Sequence, residues 1–189
     1  MERLETQRLI LRPFCKDDVD AIYDIFSDLE VNRFLPWFPL QSKEEAQKFL
    51  EERYLSQESG YQYAICLKNN HVPIGYIHVS GDESHDFGYG LKKEFWHQGI
   101  VSEACQVVIE VLKKDNIPFI TATHDILNPH SGMVMKKIGM TYQYTYQEHW
   151  MPKDIDVTFR MYQLNFQKDI PVYKKYWDMY PHSIEKNNL

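Results

Sequence analysis

The sequence predicts an α+β fold, a mixed and mostly antiparallel twisted sheet of about seven strands flanked by about four helices. Three observations carry this. Alternating or β-branched apolar runs come in neighbouring pairs separated by polar turns, which is hairpin patterning. Runs with apolar residues at helical spacing stand between them. One such helix separates two strand runs and is long enough for a crossover, which makes the flanking strands parallel.

Leu9-Ile10-Leu11-Arg12-Pro13 is a short β-type run. Asp17 to Phe26 follows with Val19, Ile22, Ile25 and Phe26 at helical spacing. Pro36 and Pro39 bar a helix through Leu35-Pro36-Trp37-Phe38-Pro39, and Ser42-Lys43-Glu44-Glu45 then supplies a capping box for a second helix reaching Gln57. Tyr61 to Leu67 and Val72 to Val79 read as a hairpin through the turn Lys68-Asn69-Asn70-His71, with Asp86 to Leu91 as a third antiparallel strand. A helix from Ser102 to Lys114 puts Ala104, Val107, Val108 and Val111 on one face, and a strand from Pro118 to His124 completes a β-α-β crossover. Asn128 as N-cap and Pro129 as first helical residue open the next helix, which Gly139 ends. Thr141 to Trp150 and Val157 to Phe166 close the sheet as a hairpin through Met151-Pro152-Lys153-Asp154. Beyond Pro171, Val172, Tyr173, Tyr176, Trp177 and Tyr180 repeat at helical spacing before a polar end.

The length of 189 residues suits one core, and no Gly/Ser linker or repeat divides it. A single domain over 1–189 is expected, with a core to residue 166 and an aromatic tail helix with a polar end over 167–189. A net charge of -6 offers no basic field for a phosphate backbone, so a nucleic-acid partner is disfavoured. No apolar run approaches the ~20 residues that cross a bilayer, and Met1-Glu2-Arg3-Leu4-Glu5 lacks a signal peptide's apolar centre, so a cytoplasmic protein without membrane contact is expected. Cys15, Cys66 and Cys105 are odd in number and scattered, which fits reduced thiols.

The stretch Trp96-His97-Gln98-Gly99-Ile100-Val101-Ser102-Glu103-Ala104 carries the first chemical signal: a glycine turn between a strand pattern and a helix. Amides at a helix start have no intrahelical partners and sit at the positive end of the helix dipole, so they hold a phosphate well. A turn also needs glycine for positive φ with nothing bound, so the motif alone leaves both readings open.

Three pieces in order resemble the GNAT acetyltransferases, specifically the branch of ribosomal-protein N-terminal acetyltransferases. They are Glu5-Thr6-Gln7-Arg8-Leu9-Ile10-Leu11-Arg12-Pro13, then Gly88-Tyr89-Gly90-Leu91 through Ala104, then Asn128-Pro129-His130-Ser131 through Lys137-Ile138-Gly139-Met140. The resemblance spans Leu4 to Leu164 and implies the GNAT sheet with two splayed strands, and acetyl-CoA as cosubstrate. Its pyrophosphate turn, Gln/Arg-x-x-Gly-x-Gly/Ala, maps onto Trp96 to Val101, with Trp96 where Gln or Arg is usual and Val101 where Gly or Ala is usual. The resemblance thus implies cofactor contacts from His97, Gln98, Gly99, Ile100, Val101 and Ser102. It implies pantetheine contacts from Tyr89, Gly90 and Leu91, with Asn128 on the other side in addition to its capping role.

Acetyl transfer to an amine needs a neutral amine, a donor for the oxyanion and a proton for the departing thiolate. Asp86 is the first candidate base, with His78, His85 and His124 as rivals. Many family members use as acid a tyrosine at the position that is Met135 here, which cannot donate; the ribosomal-protein branch implies Ser131 instead, with Tyr142 in reserve. A bound metal is not expected, because His124, Asp125 and His130 match no standard ligand spacing. Trp37, Phe38, Tyr61 and Tyr63 are candidates to wall a substrate cleft, besides the core role common to aromatics. The expected activity is acetyl transfer to a primary amine such as a protein N-terminal α-amine. A small amine (a polyamine or an aminoglycoside-type antibiotic) and a non-catalytic acyl-CoA-binding module are the alternatives. Both a monomer and a homodimer remain open.

Overall fold

Alternation of side chains decides the first sheet. In β2 (Leu9–Arg12) and β3 (Tyr61–Leu67), Leu9, Leu11 and Ile65 point to one core while Ile10, Ala64 and Cys66 point to another. Both faces are therefore buried. The computed structural model describes residues 1–185, and the polar end at 186–189 lies outside the described residues. Five antiparallel strands follow in chain order: β1 (Leu4–Glu5), β2, β3, β4 (Pro73–Val79) and β5 (Phe87–Leu91).

One face is covered by α1 (Val19–Phe26) and α3 (Lys43–Leu50), whose buried Ile22, Ile25, Phe26, Ala46 and Leu50 meet Ile10, Ala64 and Tyr76. Asp18 begins this layer. Buried beneath α1, it takes two bonds from the Arg12 guanidinium, at 2.7 and 2.8 Å. Ser42 caps α3 by accepting from the Glu45 amide at 3.2 Å, while Glu45 accepts from Gln41, one residue before the expected partner. The helix expected to reach Gln57 changes form after Leu50, widening into a π turn over Glu51–Leu55. A short helix, α2 (Leu29–Asn32), capped by Asp28, was too brief to show a period in the sequence.

The other face takes α4 (Ile100–Lys114), through Ala104, Cys105, Val108, Ile109 and Leu112. The chain then enters a second sheet. This holds β6 (Phe119–Asp125), β7 (Thr141–Trp150), β8 (Ile155–Asn165) and β9 (His182–Ser183) in the order β6-β8-β7-β9. Its strands pair antiparallel. The crossover β5-α4-β6 is the expected one, but β5 and β6 touch through a single parallel bridge, Asp86 to Thr121, and belong to different sheets. The strands are splayed, as the resemblance implied.

Among the described residues there are nine strands and six α-helices, more than the expected seven and four because β1, β9, α2 and the tail helix, each of two to five residues, are counted with the rest. The tail helix, α6 (Lys175–Met179), is also shorter than its aromatic spacing predicts. Pro181 disfavours helical backbone at Tyr180, which is extended, and the chain turns there to pair with β7. The other helix of the second half, α5 (Pro129–Lys137), starts and stops where Asn128 and Gly139 predict. None of the helices is long and apolar enough to cross a membrane among the described residues.

Candidate active site

The gap between β5 and β6 opens into a groove of about 1110 Å³. At its mouth stands the start of α4. Gly99, at φ 72°, is the N-cap, no side chain caps the helix, and Glu103 is the first residue whose amide bonds back, to the Gly99 carbonyl at 3.1 Å. The preceding amides face outward with the helix dipole behind them. His97 is also left-handed, at φ 59°, so the turn curls its backbone into a concave nest. A β-carbon at Gly99 would lie 3.9 Å from both the Arg8 guanidinium and the Lys137 ammonium. Free amides flanked by two cations are the chemistry a pyrophosphate needs, so the residues present fit the cosubstrate.

The two departures from the family turn have local reasons. Trp96 donates its indole N–H to the Leu91 carbonyl at 2.8 Å and rests against the core, fastening the turn to the end of β5. Val101 is half-buried and packs against the same core. Arg8 ties the turn from below: it pairs with Glu103 at 2.7 Å and donates to the Gln98 carbonyl at 3.0 Å. A second hollow of about 420 Å³ beside it is lined by Arg8, Gln98, Gly99, Ser102 and Lys137. Gln98 faces this hollow, whereas the other expected contact residues, from Tyr89 to Leu91, His97, Gly99 to Ser102 and Asn128, line the main groove.

Strand β5 needs its glycines for close approach. A β-carbon on Gly88 would stand 2.0 Å from the His78 ring, and one on Gly90 would stand 2.4 Å from the Tyr76 ring. These two β4 rings therefore lie flat beside β5, stacked 6.4 Å apart. His78 Nε2 comes to 3.7 Å from Asp86 Oδ2, and Asp86 lies where the two sheets meet. Two of the candidate bases are thus a pair. His85 lies outside the groove with its ring edge-on to Phe119, and His124 is buried. Burial lowers the His124 pKa, outweighing the bond that its Nδ1 donates to the Asp125 carbonyl at 2.8 Å, which raises it.

Tyr89 crosses the gap between the sheets. Its hydroxyl donates to the Ser131 carbonyl at 2.8 Å and lies 3.1 Å from Ser131 Oγ. Burial pushes the Tyr89 phenol far up, so it stays protonated. The Asn128 side chain accepts from the Ser131 amide at 3.4 Å, so its capping role is present, and both residues line the groove. Met135 is buried in the core. The reserve donor Tyr142 points elsewhere, bonding Thr145 at 2.9 Å and the Glu185 amide at 3.0 Å.

Beyond Asp86 the groove is aromatic. Of the candidate wall residues, Trp37 lines it; Tyr63 is buried in the core, Tyr61 bonds Asp115 at 2.8 Å and Phe38 is exposed. Phe49, Arg53 and Tyr54 complete the wall, and Arg53 lies 4.3 Å over the Trp37 ring. The π turn presents Arg53 and Tyr54 there, a shape no periodicity announces. Opposite, Lys153 in the β7–β8 turn donates to the Asn32 carbonyl and side chain, at 2.9 and 3.0 Å, and links the lips of the cleft. Among the described residues no group of three or more His, Cys, Asp or Glu side chains is arranged to hold a metal ion.

The acetyltransferase (GNAT) domain family matches residues 8–141. A Bacillus subtilis relative, named as the uncharacterized N-acetyltransferase YnaD, is 27% identical over 185 residues, 96% of this chain and 95% of its own. Among solved structures, a GNAT-family acetyltransferase from Bacillus anthracis superposes with TM-score 0.76 at 21% identity, covering 87% of this chain and 99% of that one. An acetyltransferase from Salmonella typhimurium, described as modifying the N-terminal serine of ribosomal protein L7/L12, superposes with TM-score 0.70 at 20% identity, over 87% and 99%. The chain belongs to the GNAT family and is an acetyl-CoA-dependent N-acetyltransferase.

Proposed function

We propose that this enzyme acetylates the N-terminal α-amine of a protein. The observation that carries the reading is one unbroken groove lined by the α4 cradle, Ser131 and the Asp86–His78 pair, continuing into an aromatic cleft. The acceptor class is supported by the Salmonella enzyme's described substrate and by the modest base on offer, a partly exposed carboxylate beside an imidazole. An α-amine with a pKa of roughly 8 needs little help to lose its proton, whereas a lysine amine needs about two units more.

When bound, acetyl-CoA supplies the acetyl thioester. The cradle amides from Gly99 to Ser102, with Arg8 and Lys137, would hold its pyrophosphate, and the β5 main chain from Tyr89 to Leu91 would align its pantetheine arm. Asp86 and His78 take a proton from the amine as its nitrogen forms the C–N bond. The Ser131 hydroxyl, 3.1 Å from the Tyr89 oxygen, turns to hydrogen-bond the sulfur as the C–S bond breaks, and the departing thiolate takes its proton from water. Acetyl passes directly, with no enzyme-bound acyl group. Cys105, the cysteine nearest the cradle in sequence, is buried and its thiol pKa is pushed far up, so it offers no nucleophile.

The test is CoA release and mass spectrometry with three acceptor sets: peptides with free N-termini, the same peptides blocked at the N-terminus but carrying lysine, and spermidine with an aminoglycoside. Modification of the α-amine is expected. Turnover confined to lysine or the small amines would overturn the acceptor, and tight acetyl-CoA binding without any turnover would favour the non-catalytic module.

A further inference from the structure

The tail beyond β8 has no part in the chemistry above, yet it is fastened closely to the site. Gln163, buried in β8, holds it by both ends of its carboxamide: Nε2 donates to the Pro171 carbonyl at 3.0 Å, and Oε1 accepts from the Tyr173 amide at 2.8 Å. The Tyr144 hydroxyl donates to the Tyr173 carbonyl at 2.8 Å, and β9 pairs with β7. Lys175 then reaches Glu83 at 3.0 Å, in the loop that leads into β5. The tail therefore spans both sheets on the side where Asp86 sits.

Its placement brings one ring into the groove. Tyr176 on α6 stacks on Tyr146 with centroids 5.1 Å apart and planes 16° apart, and Tyr176 lines the groove. Burial raises its phenol pKa and the Asp86 carboxylate raises it further, so the ring lies within electrostatic reach of the candidate base. Trp150 and Phe159 extend the same wall, while Tyr76 and His78 line the groove from β4. Tyr176 lies beyond residues 8–141, so this part of the wall comes from outside the matched family domain.

We propose that Tyr176 is a specificity-determining residue for the acceptor, its ring setting how large a side chain the amine-bearing residue can carry beside Asp86. This rests on the α-amine reading above. An amine that reaches Asp86 must bring its α-carbon and first side chain into the space that the tail closes, and a packed ring there excludes volume. The wall works by bulk, through a ring already packed on Tyr146.

The experiment compares peptides that begin with Gly, Ser, Leu or Phe and are otherwise identical. They are tested on the full chain and on Tyr176→Ala, Tyr176→Phe and Tyr176→Trp, with acetyl-CoA affinity measured separately by calorimetry. Tyr176→Ala is expected to raise kcat/KM for the Leu and Phe peptides relative to Ser by about tenfold, the scale at which a pocket discriminates by volume. Tyr176→Trp should shift the ratio the other way, and Tyr176→Phe should leave it unchanged, with acetyl-CoA affinity constant throughout. An equal loss on every peptide, or an unaltered ratio in both Tyr176→Ala and Tyr176→Trp, would overturn the proposal; the variants that retain a ring keep it decidable if Tyr176→Ala folds poorly. A parent enzyme that modifies none of the peptides would overturn the α-amine reading itself and the acceptor role built on it.

Discussion

The mouth of the groove and its far end are built on different plans. The mouth is backbone: free amides at the start of α4, a left-handed glycine and two flanking cations. The far end is side chain: rings from the segment after α2, the π turn, β4, the β7–β8 hairpin and the tail, brought together across the fold. A backbone site can be specified by a few consecutive residues, because helix geometry supplies the donors. A side-chain site needs tertiary packing to exist at all. The first is expected to bear exchange of the side chains around it, as at Trp96 and Val101, better than the second does.

The largest expected effect breaks the backbone plan at one atom. Gly99→Asp puts a side chain on a residue at φ 72° and aims a carboxylate at Arg8 and Lys137, the cations that would meet the pyrophosphate. The left-handed backbone costs the fold roughly 1–2 kcal/mol with or without ligand, while the added charge neutralises the cations and repels the ligand. A penalty on binding of about 3 kcal/mol corresponds to roughly a hundredfold weaker acetyl-CoA affinity by calorimetry, in a protein whose circular dichroism is unchanged. Affinity within threefold of the parent would remove this turn from the site.

Next comes the middle of the groove. Ser131→Ala removes the hydroxyl 3.1 Å from Tyr89 but leaves the amide that Asn128 caps. Turnover should fall about a hundredfold, the low end for a lost donor at the reacting centre, with acetyl-CoA affinity unchanged. An unaltered rate would leave Ser131 as a first-turn helix residue and nothing more.

How much of this was legible in the sequence follows the same division. The Gly99 turn, the Asn128 cap and the glycines of β5 leave local marks, since each answers a demand made within a few residues. Even so, the reason for Gly88 and Gly90 is tertiary: rings from the neighbouring strand occupy the space a β-carbon would take. The aromatic wall was read in part, with Trp37 on it and Tyr63 in the core, because composition does not say which face of a strand or loop turns inward. Arg53 and Tyr54 depend on a π turn, and Tyr176 on a tail folded back over the second sheet. Neither arrangement has a period to detect.

The aromatic end can be broken separately. Trp37→Ala removes the ring under Arg53 and opens the cleft wall. The acceptor KM should rise about tenfold, as for a lost aromatic contact, while acetyl-CoA affinity stays fixed. A matching loss of acetyl-CoA affinity would mean that the two ends are mechanically coupled.

The remaining expected effects fall on stability rather than on binding or rate, and concern the anchors beneath each end. Burial would raise the Asp18 pKa, but hydrogen bonds from Arg12 and from the Cys15 amide outweigh it and hold the carboxyl below its usual value. Glu103 follows the same pattern: burial raises it, and bonds from Thr6, the Arg8 amide and the Arg8 guanidinium lower it further. A carboxylate depressed in the folded state stabilises fully above the unfolded value of about 4, and that stability is lost as pH falls through the folded value. Acid unfolding should therefore begin below about pH 4. Asp18→Asn should cost about 3 kcal/mol near neutral pH by leaving Arg12 half-buried and unpaired, and should flatten the acid limb of the stability curve. Glu103→Gln, on the more exposed Arg8 pair, should cost about 1 kcal/mol or less. If urea titrations reverse that order, the polar anchor under the cradle is the stronger one, and the contrast between a tolerant backbone end and a demanding side-chain end fails at its foundations.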